Sequence, residues 1–272
     1  MFENKSNLTG FSLPFAPHGL SSLVDSPPWF FGGDGYEVFF RCDPEKIKAF
    51  IPYPLTVSDR VGLVCVTIVD MTSVDGGNLA FDYPERAQYR ECLFKIHCEF
   101  EGKPGWFVPA TWVDKDFSLL RGFIQGFGKK LSQIHITKLH HMNPMIGGRQ
   151  QGARIKAICE SFARVRIELE LELQRPNEKD LFAGNSMFVM RHFPDTANAG
   201  KALVHDISEL VVHNAKKTDF WDCSGDIRIS GDPREEVTSL IPETIVAARC
   251  FSEGFELHGG RVLYDYLRKG EN

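Results

Sequence analysis

Apolar and polar positions alternate most strictly between Val165 and Leu173, where Val165, Ile167, Leu169, Leu171 and Leu173 interleave with Arg166, Glu168, Glu170 and Glu172. A helix would scatter those charges around its circumference; a period of two puts all of them on the wet face of a half-buried sheet. The stretch VGLVCVTIVDM, Val61 to Met71, is apolar almost throughout and predicts a strand buried on both faces. Aromatic and β-branched residues from Tyr36 to Phe40 predict another strand. More strands are predicted at Glu91–Phe100, Trp106–Trp112, Ile134–Lys138, Arg154–Ile158, Phe182–His192, Leu203–Ala215, Asp226–Ser230 and Arg261–Leu267. Three short helices break this series. Asp43 caps the first, which runs through Pro44, Ile47 and Phe50 and stops at Pro52. Asp116 opens the second, with Leu120, Phe123, Phe127 and Leu131 as its apolar side, and Asp232-Pro233 opens the third, through Leu240. Many antiparallel strands with few helices predict an α+β fold dominated by a strongly curved sheet, cone-like or closed into a barrel.

Composition narrows the class. The chain has 272 residues, 43% hydrophobic and 25% charged, which suits a globular protein with a substantial core. No linker divides it, so we expect a single domain over 27–272, preceded by an irregular Ser-, Pro-, Gly- and Asn-rich arm over 1–26 that could wrap another subunit or stay mobile. A formal charge of −5 argues against nucleic acid as a partner and for small-molecule chemistry. No apolar run reaches the roughly 18–20 residues of a membrane span, and MFENKSNLTG lacks the order of a secretory signal, so a cytoplasmic location is expected. The seven cysteines are odd in number and sit in apolar stretches, which predicts reduced thiols. There is no CxxC or HExxH motif, and adjacent His140 and His141 do not make a chelating pair, so no metal is expected. Without a Walker or GxGxxG sequence, no nucleotide cofactor is expected either.

The segment DFSLLRGFIQGFGKKLSQIHIT, Asp116 to Thr137, carries the chemistry. Gly122, Gly126 and Gly128 each cost up to roughly 1 kcal/mol in a helix relative to Ala, so their concentration points to close approach of backbone or substrate. Lys129 and Lys130 follow at once. A lysine attacks a carbonyl only as the neutral amine, and lowering its pKa from about 10.4 to about 7 takes roughly 4 kcal/mol. Desolvation among aromatic side chains pushes in that direction, as does a second ammonium nearby.

GFGKKL resembles the aromatic-small-Lys-Lys-Leu segment of the acetoacetate decarboxylase-like superfamily. In that family a lysine is activated by a cationic neighbour, so the resemblance and the pKa argument point to the same residue. Tyr89-Arg90-Glu91 resembles the family's Tyr-x-Glu about forty residues earlier, and Phe40-Arg41-Cys42-Asp43, Pro52-Tyr53-Pro54-Leu55 and the closing strand Arg261–Leu267 fit in the same order. The resemblance spans roughly residues 27 to 268. It implies a β cone or barrel assembled as a homo-oligomer, acting on a keto acid or ketone without a cofactor. It further implies that Lys129 forms the imine, Lys130 supplies the charge that depresses its pKa, and Glu91 orients substrate or moves protons. Gln125 lies four residues before Lys129, as in aldolase-dehydratase relatives, which also use pocket tyrosines; Tyr89, Tyr266 and Tyr264 are the candidates here.

Two positions depart from the prototype decarboxylases. Gly33 stands where an arginine receives the substrate carboxylate, and Cys65 where a second glutamate belongs. Arg41, Arg60 and Arg90 are the cations that could compensate. The leading expectation is decarboxylation of a β-keto acid through a Lys129 imine. The alternative is condensation and dehydration of a keto acid such as pyruvate with an aldehyde through the same imine; a third is a ligand-binding relative without turnover.

Overall fold

The computed structural model describes residues 7–180 and 182–268, so the first six residues of the expected arm and the last four of the expected domain lie outside the described residues. Twelve strands form one sheet: β1 (Trp29–Arg41), β2 (Thr56–Val57), β3 (Leu63–Val74), β4 (Gln88–Phe100), β5 (Lys103–Val113), β6 (Lys129–Leu131), β7 (Gln133–Ile136), β8 (Arg154–Ser161), β9 (Val165–Asn177), β10 (Ser186–Pro194), β11 (Ala202–Ser230) and β12 (Thr244–Asp265). Three α-helices are α1 (Pro44–Phe50), α2 (Leu79–Asp82) and α3 (Asp116–Gln125).

Closure follows from the pairing. The order β10-β5-β4-β3-β1-β12-β11 returns on itself because β10 also pairs with β11, giving a closed ring from which β9, β8 and β7 branch. Most neighbours are antiparallel; the β5–β10 and β5–β6 pairs are parallel. Period-two alternation then gives each wall strand an outer and an inner face. Outward residues such as Val38, Val66 and Phe94 pack against inward-facing Ile167, Leu169 and Leu171 of the branch, forming the main core. All the alternating apolar positions of β9 are buried, as their period predicts. At about 1.5–3 kcal/mol per buried large apolar side chain, this layer holds the branch on the barrel.

The inner face is less uniformly apolar. One end of the barrel is plugged by the loop before β10, where Phe182 stacks on Phe39 at 4.8 Å and meets the Trp106 ring edge-on at 5.0 Å. Part of the expected arm packs near the other end. Ser12 and Ser22 lace it internally, Arg86 donates to the carbonyls of Ser22 and Leu23 at 3.0 Å each, and Val24 is buried with Trp29 and Leu257.

Several expectations need revision. The strands predicted at Leu203–Ala215 and Asp226–Ser230 are one 29-residue strand, β11, whose repeated bulges against β12 interrupt the alternation. The helix expected from Asp232 is a single 3-10 turn, Glu236–Ser239. Asp232 instead accepts from the Arg234 N–H at 3.0 Å and pairs with Arg164, making a tight turn that leaves no length for a helix. Helix α3 forms, but its buried face is Phe117, Ser118, Arg121, Gly122 and Gln125. Phe123 is 50% exposed and Leu131 lies on β6, because Gly126 at φ 104° ends the helix before Phe127. Lys115 takes the cap position, and Asp116 bonds only the next N–H.

Candidate active site

Backbone register aims Lys129 inward. After Gly126 the chain runs into β6, which lies parallel to β5 with Thr111 opposite Lys129 and Trp112 opposite Lys130. Across β5, Thr111 faces Leu93 and Trp112 faces Cys92. Leu93 belongs to the inner row of β4, with Tyr89 and Glu91, whereas Cys92 and Trp112 face the outer core. Consecutive strand residues point to opposite faces, so Lys129 enters the barrel and Lys130 leaves it. Helix α3 makes room for the lysine stem: a Cβ on Gly122 would lie 2.3 Å from both Cδ and Cε of Lys129.

Inside the barrel the Lys129 ammonium donates to Glu91 Oε2 at 2.7 Å and to Ser118 Oγ at 3.1 Å. The side chains of Lys129 and Glu91 are only 5% and 6% exposed. Lys129 Nζ also lies 5.3 Å from the Phe127 ring centroid and 5.7 Å from that of Tyr89. Burial is the main force on its pKa and drives it below the ordinary lysine value; attraction to Glu91 opposes the shift and the Arg121 cation adds to it. The Tyr89 hydroxyl is pushed up, mainly by burial and then by Glu91, so it stays protonated.

Arg121 sits on the same buried face of α3. Its guanidinium is held over Phe31 at 4.8 Å, Tyr89 at 5.4 Å and Phe117 at 5.7 Å, and one terminal nitrogen donates to Ser73 Oγ. The other terminal nitrogen and Nε2 of Gln125 are buried and make no well-formed hydrogen bond, although the Arg121 guanidinium lies near enough to the Tyr89 hydroxyl to favour its ionised form, and among the described residues Arg121 has no carboxylate ion pair. Two buried donors of this kind cost about 1–3 kcal/mol each, more when charged, unless a ligand satisfies them. Among the described residues no group of three or more His, Cys, Asp or Glu side chains is placed to hold a metal.

The structure thus brings together Lys129, Glu91, Tyr89 and the Gln125-bearing face of α3, although Gln125 and Lys129 share no continuous helix. It does not bring in Lys130. That ammonium is bonded to Glu235 at 2.7 Å, half-exposed outside the barrel, so the cation acting on Lys129 is Arg121. Tyr264 and Tyr266 are also elsewhere. They pack on Tyr53 and on each other in a cluster with Leu55 and Cys98, on the outer side of the wall, and Tyr266 donates to the Tyr53 carbonyl. Tyr264, at the end of β12, and Tyr266, just beyond it, turn toward that outer cluster.

The two departures have physical reasons. A Cβ on Gly33 would lie 2.2 Å from the Asp70 carbonyl oxygen and 2.6 Å from Met71 Sδ, so no side chain fits there. Cys65 is wholly buried, its thiol pushed up to about 12 mainly by burial. None of the cations offered in compensation reaches the site: Arg41 donates to the Val61 carbonyl, Arg60 covers Phe182 at 4.7 Å, and Arg90 lies between Asp70 and Asp114. Arg121 and Ser118 escaped the sequence reading, whereas Gly122 makes the close approach that its glycine cluster predicted. Their spacing was a usable signal, since residues 118, 121, 122 and 125 share one helix face, but that face is polar.

The class this defines is a closed, mainly antiparallel barrel around a sealed amine–carboxylate pair. The family model "Acetoacetate decarboxylase (ADC)" matches residues 12–267, and the chain belongs to that family. It is 24% identical over 266 residues to an acetoacetate decarboxylase of Ralstonia nicotianae, covering 96% of this chain and 97% of the relative. Among solved structures it is similar to the enduracididine biosynthesis enzyme MppR complexed with pyruvate, at TM-score 0.89 and 26% identity over 96% of this chain and all of that one. It is also similar to an acetoacetate decarboxylase-like enzyme from Sphingomonas wittichii RW1, at TM-score 0.88 and 28% identity over 94% of this chain and all of that one.

Proposed function

We propose that this chain is an imine-forming lyase for a small keto acid, with Lys129 as nucleophile. The observation that carries the reading is the pair of buried donors without a hydrogen bond, on Arg121 and Gln125, on the face of α3 whose Ser118 and Gly122 lie against Lys129. A carboxylate satisfies both donors while its neighbouring carbonyl faces the amine. Glu91 takes the ammonium proton, the amine adds to the carbonyl, water leaves, and the resulting iminium becomes an electron sink.

The geometry favours a 2-keto acid such as pyruvate, condensed with an aldehyde and then dehydrated. Arg121 and Lys129 both approach the Tyr89 ring, at 5.4 Å and 5.7 Å, which gives a keto acid one cation for its carboxylate and one amine for its carbonyl. Glu91 then removes a proton from the carbon beside the iminium, and the enamine attacks the aldehyde carbon. Loss of water from the new alcohol and hydrolysis of the imine return Lys129. MppR, 26% identical, has been solved with the condensation product of pyruvate and imidazole 4-carboxaldehyde, which supports this version. Decarboxylation of a β-keto acid is the second reading, favoured by curated relatives named acetoacetate decarboxylase at 24% identity. There the bond to the carboxylate breaks and its electrons enter the same iminium.

Borohydride trapping with pyruvate or acetoacetate, read by intact mass, tests the common step. An adduct that requires Lys129 is expected; none with either compound, or one that survives Lys129→Ala, refutes the imine. Enone absorbance against CO2 release then separates the two readings.

A further inference from the structure

The Lys129 nitrogen has two hydrogen-bond acceptors, and only one of them is charged. Glu91 is the natural store for the ammonium proton. Ser118, whose Oγ lies 3.1 Å from Nζ, has no comparable use for it, because a serine hydroxyl is far too weak a base to hold a proton. Ser118 is nonetheless fully buried, on α3 one turn before Gly122. Residues four apart share a helix face, so the same stripe that leaves a groove for the lysine stem at Gly122 presents a hydroxyl to its nitrogen. A serine inside a helix ordinarily turns its hydroxyl back onto the carbonyl four residues earlier. Ser118 makes no such bond: its oxygen accepts from Lys129, and among the described residues its own proton has no acceptor. A buried site thus holds a hydroxyl already bonded to the nucleophile, with a proton free to be given to whatever approaches that nucleophile.

We propose that Ser118 is a catalytic proton relay for imine formation. The inference rests on Lys129 being the imine former. After Glu91 has taken one proton from the ammonium, the neutral amine attacks the carbonyl carbon. The N–C bond forms as the C=O π bond breaks; an N–H proton passes to Ser118 Oγ while the Ser118 O–H proton passes to the carbonyl oxygen. The product is a neutral carbinolamine and an unchanged serine. Glu91, now protonated, cannot accept this second proton, and direct passage from nitrogen to oxygen would need a strained four-membered arrangement that the hydroxyl widens to six. The carbinolamine hydroxyl then leaves as water with the proton stored on Glu91, giving iminium and carboxylate. Protons and charge balance over the two steps.

The test is rapid-quench borohydride trapping with excess pyruvate or acetoacetate, with the rate of adduct formation read by intact mass across pH. Ser118→Ala is expected to lower the plateau rate by about 10²-fold, the size of a lost positioned proton transfer, with the final adduct yield intact. Ser118→Thr, which keeps a hydroxyl, should restore much of that loss, and the wild-type rate should show a solvent deuterium effect that Ser118→Ala lacks. If Ser118→Ala does not fold, Ser118→Gly, which likewise carries no exchangeable side-chain proton, takes its place with the same expectation. A merely structural Ser118 would move the ascending limb of the pH profile by displacing the amine; a lost relay lowers the plateau and leaves the limb in place. A wild-type rate in Ser118→Ala overturns the relay while leaving the imine standing. Absence of any adduct in the wild type removes both.

Discussion

Among the described residues two lysines, Lys95 and Lys129, are buried within this barrel, each paired with a glutamate, and they are set in opposite directions. Lys95 lies on the inner row of β4, four residues beyond Glu91, with its ammonium 3.5 Å from Glu37. Burial opposes its charge as it does that of Lys129, yet its pKa is raised, because Cys65, Glu37 and Glu253 surround it and outweigh Arg249. The carboxylates dominate that set near neutral pH, since the Cys65 thiol is itself pushed up to about 12. Lys129 has one carboxylate against burial and against Arg121, and its pKa falls. A buried lysine is therefore not a nucleophile by virtue of burial; the balance of charges around it decides. Lys95 is further committed to structure, because Glu37 also bonds Arg249, which in turn bonds Asp180 of the plugging loop at 3.0 Å.

Removing each lysine in turn should separate the two roles by the widest margin. Lys129→Ala should abolish the borohydride-trapped adduct and reduce turnover to background while leaving the fold intact. Lys95→Ala should do the reverse. It leaves Glu37 buried with one partner fewer, which costs about 3–5 kcal/mol of stability in denaturant unfolding, while the adduct on Lys129 still forms in the fraction that folds. An adduct on Lys95, or an unchanged midpoint in Lys95→Ala, would erase the distinction.

Glu91→Gln comes next in size. It removes the proton store but keeps a hydrogen-bonding group at the same place, so the rate of adduct formation should fall by about 10²–10⁴-fold, the range for a lost general acid–base group. With its counter-charge gone, Lys129 should titrate still lower, moving the ascending limb of the rate to lower pH. A faster adduct at neutral pH would show instead that Glu91 only holds the amine charged.

Arg121→Gln should act on both substrate and lysine. Losing a charged hydrogen bond of about 1.5–3 kcal/mol predicts a KM for the keto acid about 10–100-fold higher. The sign of the pH effect also follows: Arg121 lowers the Lys129 pKa, so without it that pKa rises and the ascending limb moves to higher pH. Steady-state kinetics across pH reads both. A higher KM without a moved limb would keep Arg121 as a carboxylate ligand and remove it from the tuning of Lys129.

How much of this was legible depends on what each inference assumed. The alternation of β9 and the apolar run of β3 revealed strands because those segments obey the rule that buried means apolar. The convergence of Lys129 and Glu91 was legible through the ordered motifs that resemble the family, and the spacing of these residues alone would not have paired them. The rule failed on α3, where the expected apolar stripe included the exposed Phe123 and the buried face is Ser118, Arg121 and Gln125. A hydrophobic pattern cannot find a buried face made of polar side chains. It failed again on β11, whose bulges break the period, and on Tyr264 and Tyr266, whose side of the wall depends on register across strands far apart in sequence.

Lys130→Ala is expected to have the smallest effect, and it sharpens the comparison most selectively. Adjacency in sequence makes Lys130 the obvious charge to depress Lys129, and were it so, its removal would raise the Lys129 pKa and shift the ascending limb upward, as Arg121→Gln should. Strand geometry says otherwise. Lys130 occupies the Trp112 row of the wall and Lys129 the Thr111 row, and the Lys130 ammonium is 2.7 Å from Glu235 with its side chain 51% exposed. Water and an anion screen a charge in that position, and the wall separates it from the amine. The variant should keep the wild-type pH limb and lose at most about 1 kcal/mol of stability, the scale of an exposed ion pair. A limb that moves up in Lys130→Ala and stays fixed in Arg121→Gln would transfer the tuning of Lys129 from the helix to its neighbour in the chain.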